Sequence, residues 1–179
     1  MRQATNLEFV SDDQKFGVRI EYKEVLKILK ICGSAGNTEV GGIVIGLYNT
    51  TYNCALVKVV TNAPSDSLRG STWFHRGIWG LQERLNRLWY GRQYFYLGEW
   101  HFHPNHSAHA SSTDIEQMRE IAISEQYNCP EPILLICGGN PNAYWELNAY
   151  VFPRNRMWVK LREVVEVPPK RAIIPHQQT

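Results

Sequence analysis

The chain has no Cys-x-x-Cys pair. Its four cysteines, Cys32, Cys54, Cys129 and Cys137, stand singly along 179 residues. A chain of that length buries a core without disulfides, so they read as reduced, small apolar residues. A zinc-type base deaminase needs Pro-Cys-x-x-Cys together with His-x-Glu, and Cys129-Pro130 supplies neither part. An excess of one charge is lacking too. Nineteen basic and seventeen acidic residues leave a net +2, which gives no electrostatic reason to expect a nucleic-acid partner. No apolar run approaches the roughly 20 residues that span a bilayer. The Met1-Arg2-Gln3 start has none of the apolar stretch of a secretory leader. The expectation is a cytoplasmic protein that engages no membrane. There is no internal repeat and no low-complexity segment, and 44% hydrophobic content with six Trp and nine Tyr excludes a disordered chain. One domain over residues 1–165 is expected, with the proline-bearing, polar residues 166–179 as a C-terminal tail.

What is present centres on Gly98-Glu99-Trp100-His101-Phe102-His103-Pro104. If Tyr94 to His103 is a strand, alternation sends Glu99, His101 and His103 to one face and Trp100 and Phe102 to the other. Pro104 cannot donate a ladder hydrogen bond and ends the strand where the two imidazoles meet a loop. Asn105 to Ala110 reads as that loop. Ser111-Ser112-Thr113-Asp114, followed by Ile115, Met118, Ile121 and Ala122, reads as a helix start. Asp114 then lies in the first helical turn, where the helix dipole favours a carboxylate. Two imidazoles and one carboxylate are the three protein ligands a catalytic zinc typically keeps, with a fourth position open. Each piece alone has an ordinary reading: His-x-His occurs by chance, and Ser111 or Ser112 with Asp114 is a common cap.

A second stretch upstream changes the weight of the first. Thr38-Glu39-Val40-Gly41-Gly42-Ile43-Val44-Ile45-Gly46, with His101-x-His103-Pro104, Ser111 and Asp114, closely resembles the JAMM motif of the JAB/MPN metallopeptidases, from about Val18 to about Arg162. The resemblance implies that His101, His103 and Asp114 bind one Zn2+. It further implies that Glu39 is the general acid and base and that Ser111 helps hold the tetrahedral intermediate. Taken alone, Glu39 would read as an exposed strand-edge carboxylate. Phe102 and Val40 depart from the residues common at those positions, and both suit a core-facing side. His106 and His109 are the loop's other possible ligands, more simply exposed or in contact with substrate. Glu99 either orients an imidazole from behind or pairs with a nearby arginine.

The remaining segments are read from periodicity and turn chemistry. Leu7–Val10 and Val18–Ile20 form a hairpin around Ser11-Asp12-Asp13-Gln14. Lys23–Cys32 is a helix with one apolar face and a solvated lysine face, ended by 33–37. Glu39–Leu47 is a buried strand whose double glycine marks a bulge or a close backbone approach. Cys54–Val60 is a strand, Asn62–Ser71 a loop, and Gly77–Tyr90 a helix with Ile78, Leu81, Leu85, Leu88 and Trp89 as a core stripe ended by Gly91. A helix from about Ser112 to Tyr127 follows, then strands at Ile133–Cys137, Ala143–Phe152 and Met157–Val165. This order gives an α/β (α+β) domain, in agreement with the curved mixed β-sheet flanked by helices of the MPN fold.

Within the family the chain is most similar to the bacterial JAB isopeptidases of cyclic-oligonucleotide antiphage (CBASS) operons. That implies an isopeptidase that removes a CD-NTase-type nucleotidyltransferase from conjugated targets. Its substrate would be a protein with an extended C-terminal tail, pairing as a strand near Gly41-Gly42 or at the Asn105–Ala110 loop. Two other readings stand beside it: a C-terminal processing peptidase for a ubiquitin-like or sulfur-carrier protein, and a non-catalytic MPN scaffold module.

Overall fold

The computed structural model describes residues 6–51 and 53–164. The expected tail at 166–179, and Val165, lie outside the described residues. Ten strands and three helices run in the order β1 (Leu7–Val10), β2 (Gly17–Ile20), α1 (Tyr22–Ala35), β3 (Val40–Tyr48), β4 (Cys54–Val60), β5 (Leu68–Arg69), β6 (Phe74–His75), α2 (Leu81–Arg92), β7 (Phe95–Pro104), α3 (Ser112–Ile123), β8 (Ile133–Gly139), β9 (Trp145–Val151) and β10 (Val159–Glu163). Eight strands form one mixed sheet in the order β1-β10-β9-β8-β7-β3-β4-β2, which closes on itself where β1 pairs with β2. The β2–β4 and β7–β8 pairs are parallel and the rest antiparallel. The α+β expectation with a curved mixed sheet holds, and the curvature goes as far as closure. β5 and β6 make a separate two-stranded hairpin.

The sheet buries both faces. On one, Val25, Ile28 and Cys32 of α1 pack with Val18, Ile20, Val44, Val57, Leu97, Trp100, Phe102 and Leu135. On the other, Ile43, Ile45, Tyr96, Leu134, Ile136 and Tyr150 pack with Met118 and Ile121 of α3, and Leu81, Leu85 and Leu88 of α2 cover part of it. β7 is central, so its side chains are buried on both sides along nearly its whole length. Val40 and Phe102 are core residues on the α1 side, as their apolar character at those positions anticipates.

Simple alternation along β7 holds from Glu99 to His103 but not before. Val44 pairs with Gly98 and Ile45 with Tyr96, so Leu97 is an extra residue in β7. Gly98, at φ 150°, makes the bend, and a Cβ there would run into the Ile133 carbonyl. The bulge puts Tyr96 on the same face as Glu99, which its sequence parity would not. The double glycine of β3 marks the other expected feature, a close approach. A side chain at Gly41 would meet the Trp100 carbonyl, and one at Gly42 the Thr61 carbonyl.

Several element boundaries differ from expectation for local reasons. α1 runs through Gly33 and ends at Gly36, whose φ of 62° is a glycine conformation. α2 starts only at Leu81, because Asp66 accepts the Ile78 and Trp79 N–H groups and Gly80 is left-handed. Ile78 is therefore outside the helix and 73% exposed, Trp89 is exposed as well, and no α2 residue is fully buried. The expected core stripe is a partial cover. α2 passes Gly91 and ends at left-handed Gln93, while α3 stops at Ile123, short of Tyr127. Pro104 remains in β7 opposite Gly139, and left-handed Asn105 ends the strand.

Candidate metal centre

His101 and His103 leave β7 on the face that α3 covers, and Asp114 comes up from the first turn of α3 to meet them. All three are buried, at 4%, 9% and 5% exposure. One donor atom from each lies within 4.8 Å of the others. An ionised carboxylate only accepts, so the 2.6 Å contact has His101 Nδ1–H donating to Asp114 Oδ1. That tautomer leaves the lone pair of His101 Nε2 buried with no hydrogen-bond partner. A buried acceptor left without a donor costs free energy, and a cation would satisfy it. His103 Nε2 stands 3.4 Å from Asp114 Oδ2. Two ligands about 2 Å from a tetrahedral ion are roughly 3.3 Å apart. Donor types, burial and spacing all fit a small divalent metal.

Asp114 is aimed by Ser111. Ser111 is the N-cap of α3: its Oγ accepts the Asp114 N–H, and its own N–H and Oγ–H both donate to Asp114 Oδ2. Burial pushes the Asp114 carboxyl pKa up. The hydrogen bonds from His101, His103 and Ser111 outweigh it and hold the group well below the ordinary carboxylate range. For His103, burial pulls the pKa down, but the hydrogen bond to Asp114 and the charges of Asp114 and Glu39 raise it above its usual value.

Glu39 sits just before β3, half-buried, its N–H donating to Gly70 O at 2.8 Å. Partial burial raises its pKa and Asp114 adds to the rise, opposed by His103, His101 and His106. Its carboxyl is thus within electrostatic reach of the whole cluster. The structure brings His101, His103 and Asp114 together with Ser111 against Asp114, and Glu39 lies near enough for their charges to act on its carboxyl. His106 and His109 are exposed and outside the cluster, with His109 hydrogen-bonded to Ser107. Glu99 pairs with Arg76 at 2.7 Å and makes no hydrogen bond to an imidazole. The arginine alternative is the observed one.

Residues that the motif does not contain hold the loop after His103. Glu146 accepts the Ala108 N–H, and Asn148 and Tyr150 donate to Ala108 O. Phe74 stands edge-on to His101, with ring centroids 5.7 Å apart. Nothing in the local sequence announces these long-range contacts. β3 is flanked by β7 over Val40–Gly46 and by β4 over Val44–Tyr48, with Ile43 bonded to Thr61 and Glu39 to Gly70. On the β4 side only residues 40–42 are left without a partner strand.

A model of the prokaryotic homologs of the JAB domain matches residues 24–150. The chain belongs to this family. It is 38% identical to "CD-NTase/cGAS isopeptidase" of Enterobacter hormaechei subsp. hoffmannii over 160 residues, 89% of this chain and 88% of that protein. It is 30% identical to "Probable metalloprotease y4qB" of Sinorhizobium fredii, over 69% of this chain and 76% of the relative. The solution structure of DSY2949 from Desulfitobacterium hafniense superposes with a TM-score of 0.52 over 81% of this chain and 88% of that one. At 16% identity it supports the fold alone. As a JAB domain the chain carries the buried His-His-Asp site of a metalloenzyme. A groove of about 700 Å³ between α3 and the β9–β10 connection, lined by Ile115, Arg119, Phe152 and Trp158, contains none of the five residues. No described helix is long and apolar enough to cross a membrane.

Proposed function

We propose that this JAB domain is a zinc-dependent isopeptidase. It hydrolyses the amide bond after the C-terminus of a conjugated or extended protein, with a CD-NTase-type nucleotidyltransferase of a bacterial antiphage (CBASS) system as the conjugated protein. The observation that carries the reading is the buried His101–His103–Asp114 cluster with Glu39 within electrostatic reach. The Enterobacter relative, named as an isopeptidase and similar over nearly its full length, supports the substrate class.

His101, His103 and Asp114 would hold the ion, one per chain. Bound there, zinc supplies Lewis acidity and brings the pKa of water from roughly 15.7 to about 7. Glu39 takes a proton from the attacking water and returns it to the leaving amine, a role typically worth roughly 10²- to 10⁴-fold. The Ser111 hydroxyl, turning from Asp114 to the substrate, donates to the developing oxyanion. No acyl-enzyme forms, so no cysteine acts as a nucleophile. The substrate's extended C-terminal segment lies along the Asn105–Ala110 loop.

The test uses the purified protein and two reporters: one fused to the C-terminal segment of a CD-NTase-type nucleotidyltransferase, the other to that of a ubiquitin-like protein. Stoichiometric zinc and cleavage at the first junction, located by mass spectrometry, support the reading. Cleavage of the second alone points to C-terminal processing. A protein without stoichiometric zinc is a scaffold. Cleavage of unrelated unstructured peptides with both fusions left intact marks a general peptidase.

A further inference from the structure

One short hairpin touches three parts of the site. Gly70, after β5, accepts the Glu39 N–H. Phe74, in β6, places its ring at 78° to the His101 imidazole. Arg76, directly after β6, turns into the protein and meets Glu99, two residues before His101 in β7. Each guanidinium nitrogen is engaged: Nε donates to Glu99 Oε2 at 2.7 Å, Nη1 to Gly77 O at 2.9 Å and Nη2 to the Tyr127 hydroxyl at 3.0 Å. The second Glu99 oxygen accepts from the Tyr96 hydroxyl at 2.8 Å. The Arg76 side chain is 6% exposed and that of Glu99 0%.

Stability alone does not account for such a pair, since apolar residues of similar volume are often as stable in its place. What a guanidinium engaged through all three nitrogens adds is direction, because its planar fork fixes orientation as well as distance. The base of the hairpin is also tied, because Ser67 Oγ accepts the Gly77 N–H and Asp66 accepts those of Ile78 and Trp79, but Arg76 supplies the side-chain link from the hairpin to β7. The hairpin strands are two residues each, and Leu68 and Trp73 are 61% and 52% exposed. The β7 bulge, by turning Tyr96 onto the Glu99 face, completes the network.

We propose that Arg76 and Glu99 are positioning residues: they pin the β5–β6 hairpin so that Phe74 and Gly70 hold the His101 imidazole and the Glu39 backbone in working geometry. The inference rests on the metallohydrolase reading above. It is tested with Arg76→Gln and Phe74→Ala, following zinc dissociation constant by chelator competition, kcat and KM separately, and folding by circular dichroism. Partners that orient metal ligands are typically worth about 10- to 100-fold in affinity. Both variants should therefore bind zinc at least about tenfold more weakly and lose roughly tenfold or more in kcat, with KM changed less than about twofold. A folded Arg76→Gln protein with wild-type zinc affinity and kcat overturns the proposal, because a purely structural pair would lower only the melting temperature. If Arg76→Gln fails to fold, Phe74→Ala, which leaves the ion pair intact, decides by the same criteria. A wild-type protein that neither binds zinc nor cleaves would instead sink the hydrolase reading itself.

Discussion

Ser111 and Asp114 hold each other through three hydrogen bonds. The Ser111 N–H and Oγ–H both donate to Asp114 Oδ2, at 2.8 and 2.6 Å, and the Asp114 N–H returns to Ser111 Oγ at 3.1 Å. The helix cap of α3 and the aim of the candidate metal carboxylate are therefore one structure. The same Oδ2 faces His103, while Oδ1 takes the His101 N–H.

Ser111→Ala removes both a cap and the proposed oxyanion donor. Loss of the cap should cost about 1 kcal/mol of stability, read as a lower melting temperature, and zinc should bind more weakly because Asp114 is no longer aimed. Turnover at saturating zinc should fall on the order of 10²- to 10³-fold. Ser111→Thr, which keeps the hydroxyl and caps nearly as well, should retain zinc. Wild-type turnover in zinc-loaded Ser111→Ala would exclude the oxyanion role.

His103→Ala removes one of the three proposed ligands, and zinc content and activity should be lost together. Because metal binding is linked to folding, the stabilisation that zinc gives the wild type should vanish as well. His106→Ala and His109→Ala, at exposed positions outside the cluster, should keep stoichiometric zinc. Stoichiometric zinc in a fully active His103→Ala protein would show the ligand assignment to be wrong.

The convergence of His101, His103 and Asp114 was legible in the sequence because its parts are local, while their reading as one site with Glu39 came from the resemblance. His101 and His103 need only strand alternation, and Ser111 and Asp114 need only the spacing of a helix cap. What sets Glu39 and Glu99 in place was not legible, because those contacts bridge distant positions. Arg76 and Glu99 are 23 residues apart, and Gly70 meets Glu39 through a hairpin too short to leave a periodic trace. The Leu97 bulge hid the facing of Tyr96 for the same reason: it shows only in the pairing with β3. The helix limits failed where a single backbone conformation decided them, as at Gly36, Gly80 and Gln93. The α2 stripe looked like core because leucines at helical spacing do not reveal that only one side of the helix is covered.

Zinc binding should depend on pH through His103. In the metal-free protein its folded pKa lies above the ordinary 6.5. Its stabilising contribution is therefore complete below that value and lost as pH rises through the raised one. Asp114, held below its ordinary 3.8, contributes above that value and loses its effect as pH falls. Zinc requires the neutral imidazole and displaces its proton. Affinity should rise with pH through the raised His103 value, and zinc should increase the melting temperature more at about pH 8 than at about pH 6. Calorimetry in buffers of different ionisation enthalpy should show proton release at the lower pH. Equal affinity at both would mean His103 does not give up a proton to bind.

Thiol reagents should leave the enzyme active. All four cysteines are free, with Cys32, Cys129 and Cys137 buried. Burial pushes the Cys129 thiol up to about 12 and raises that of half-buried Cys54. The thiolate is the reactive form, so alkylation at neutral pH should be slow and confined to Cys54. Rapid inactivation by iodoacetamide, with protection by substrate, would point to a nucleophilic cysteine and against direct attack by water.

Glu39→Gln separates chemistry from metal binding. The amide keeps the shape of the side chain and the backbone bond to Gly70, and leaves His101, His103 and Asp114 untouched. Zinc content should equal that of the wild type. The amide cannot accept the proton of water, so single-turnover cleavage should slow by at least about 10²-fold while substrate still binds, which makes the variant a trap for conjugates. Because Glu39 is raised by partial burial, the acid limb of the wild-type kcat/KM profile should lie above the ordinary glutamate value at constant zinc occupancy, and the residual rate of Glu39→Gln should lack that limb. Single-turnover rates matching the wild type in the zinc-loaded variant would remove Glu39 from the proton transfer and leave it a structural neighbour of the metal.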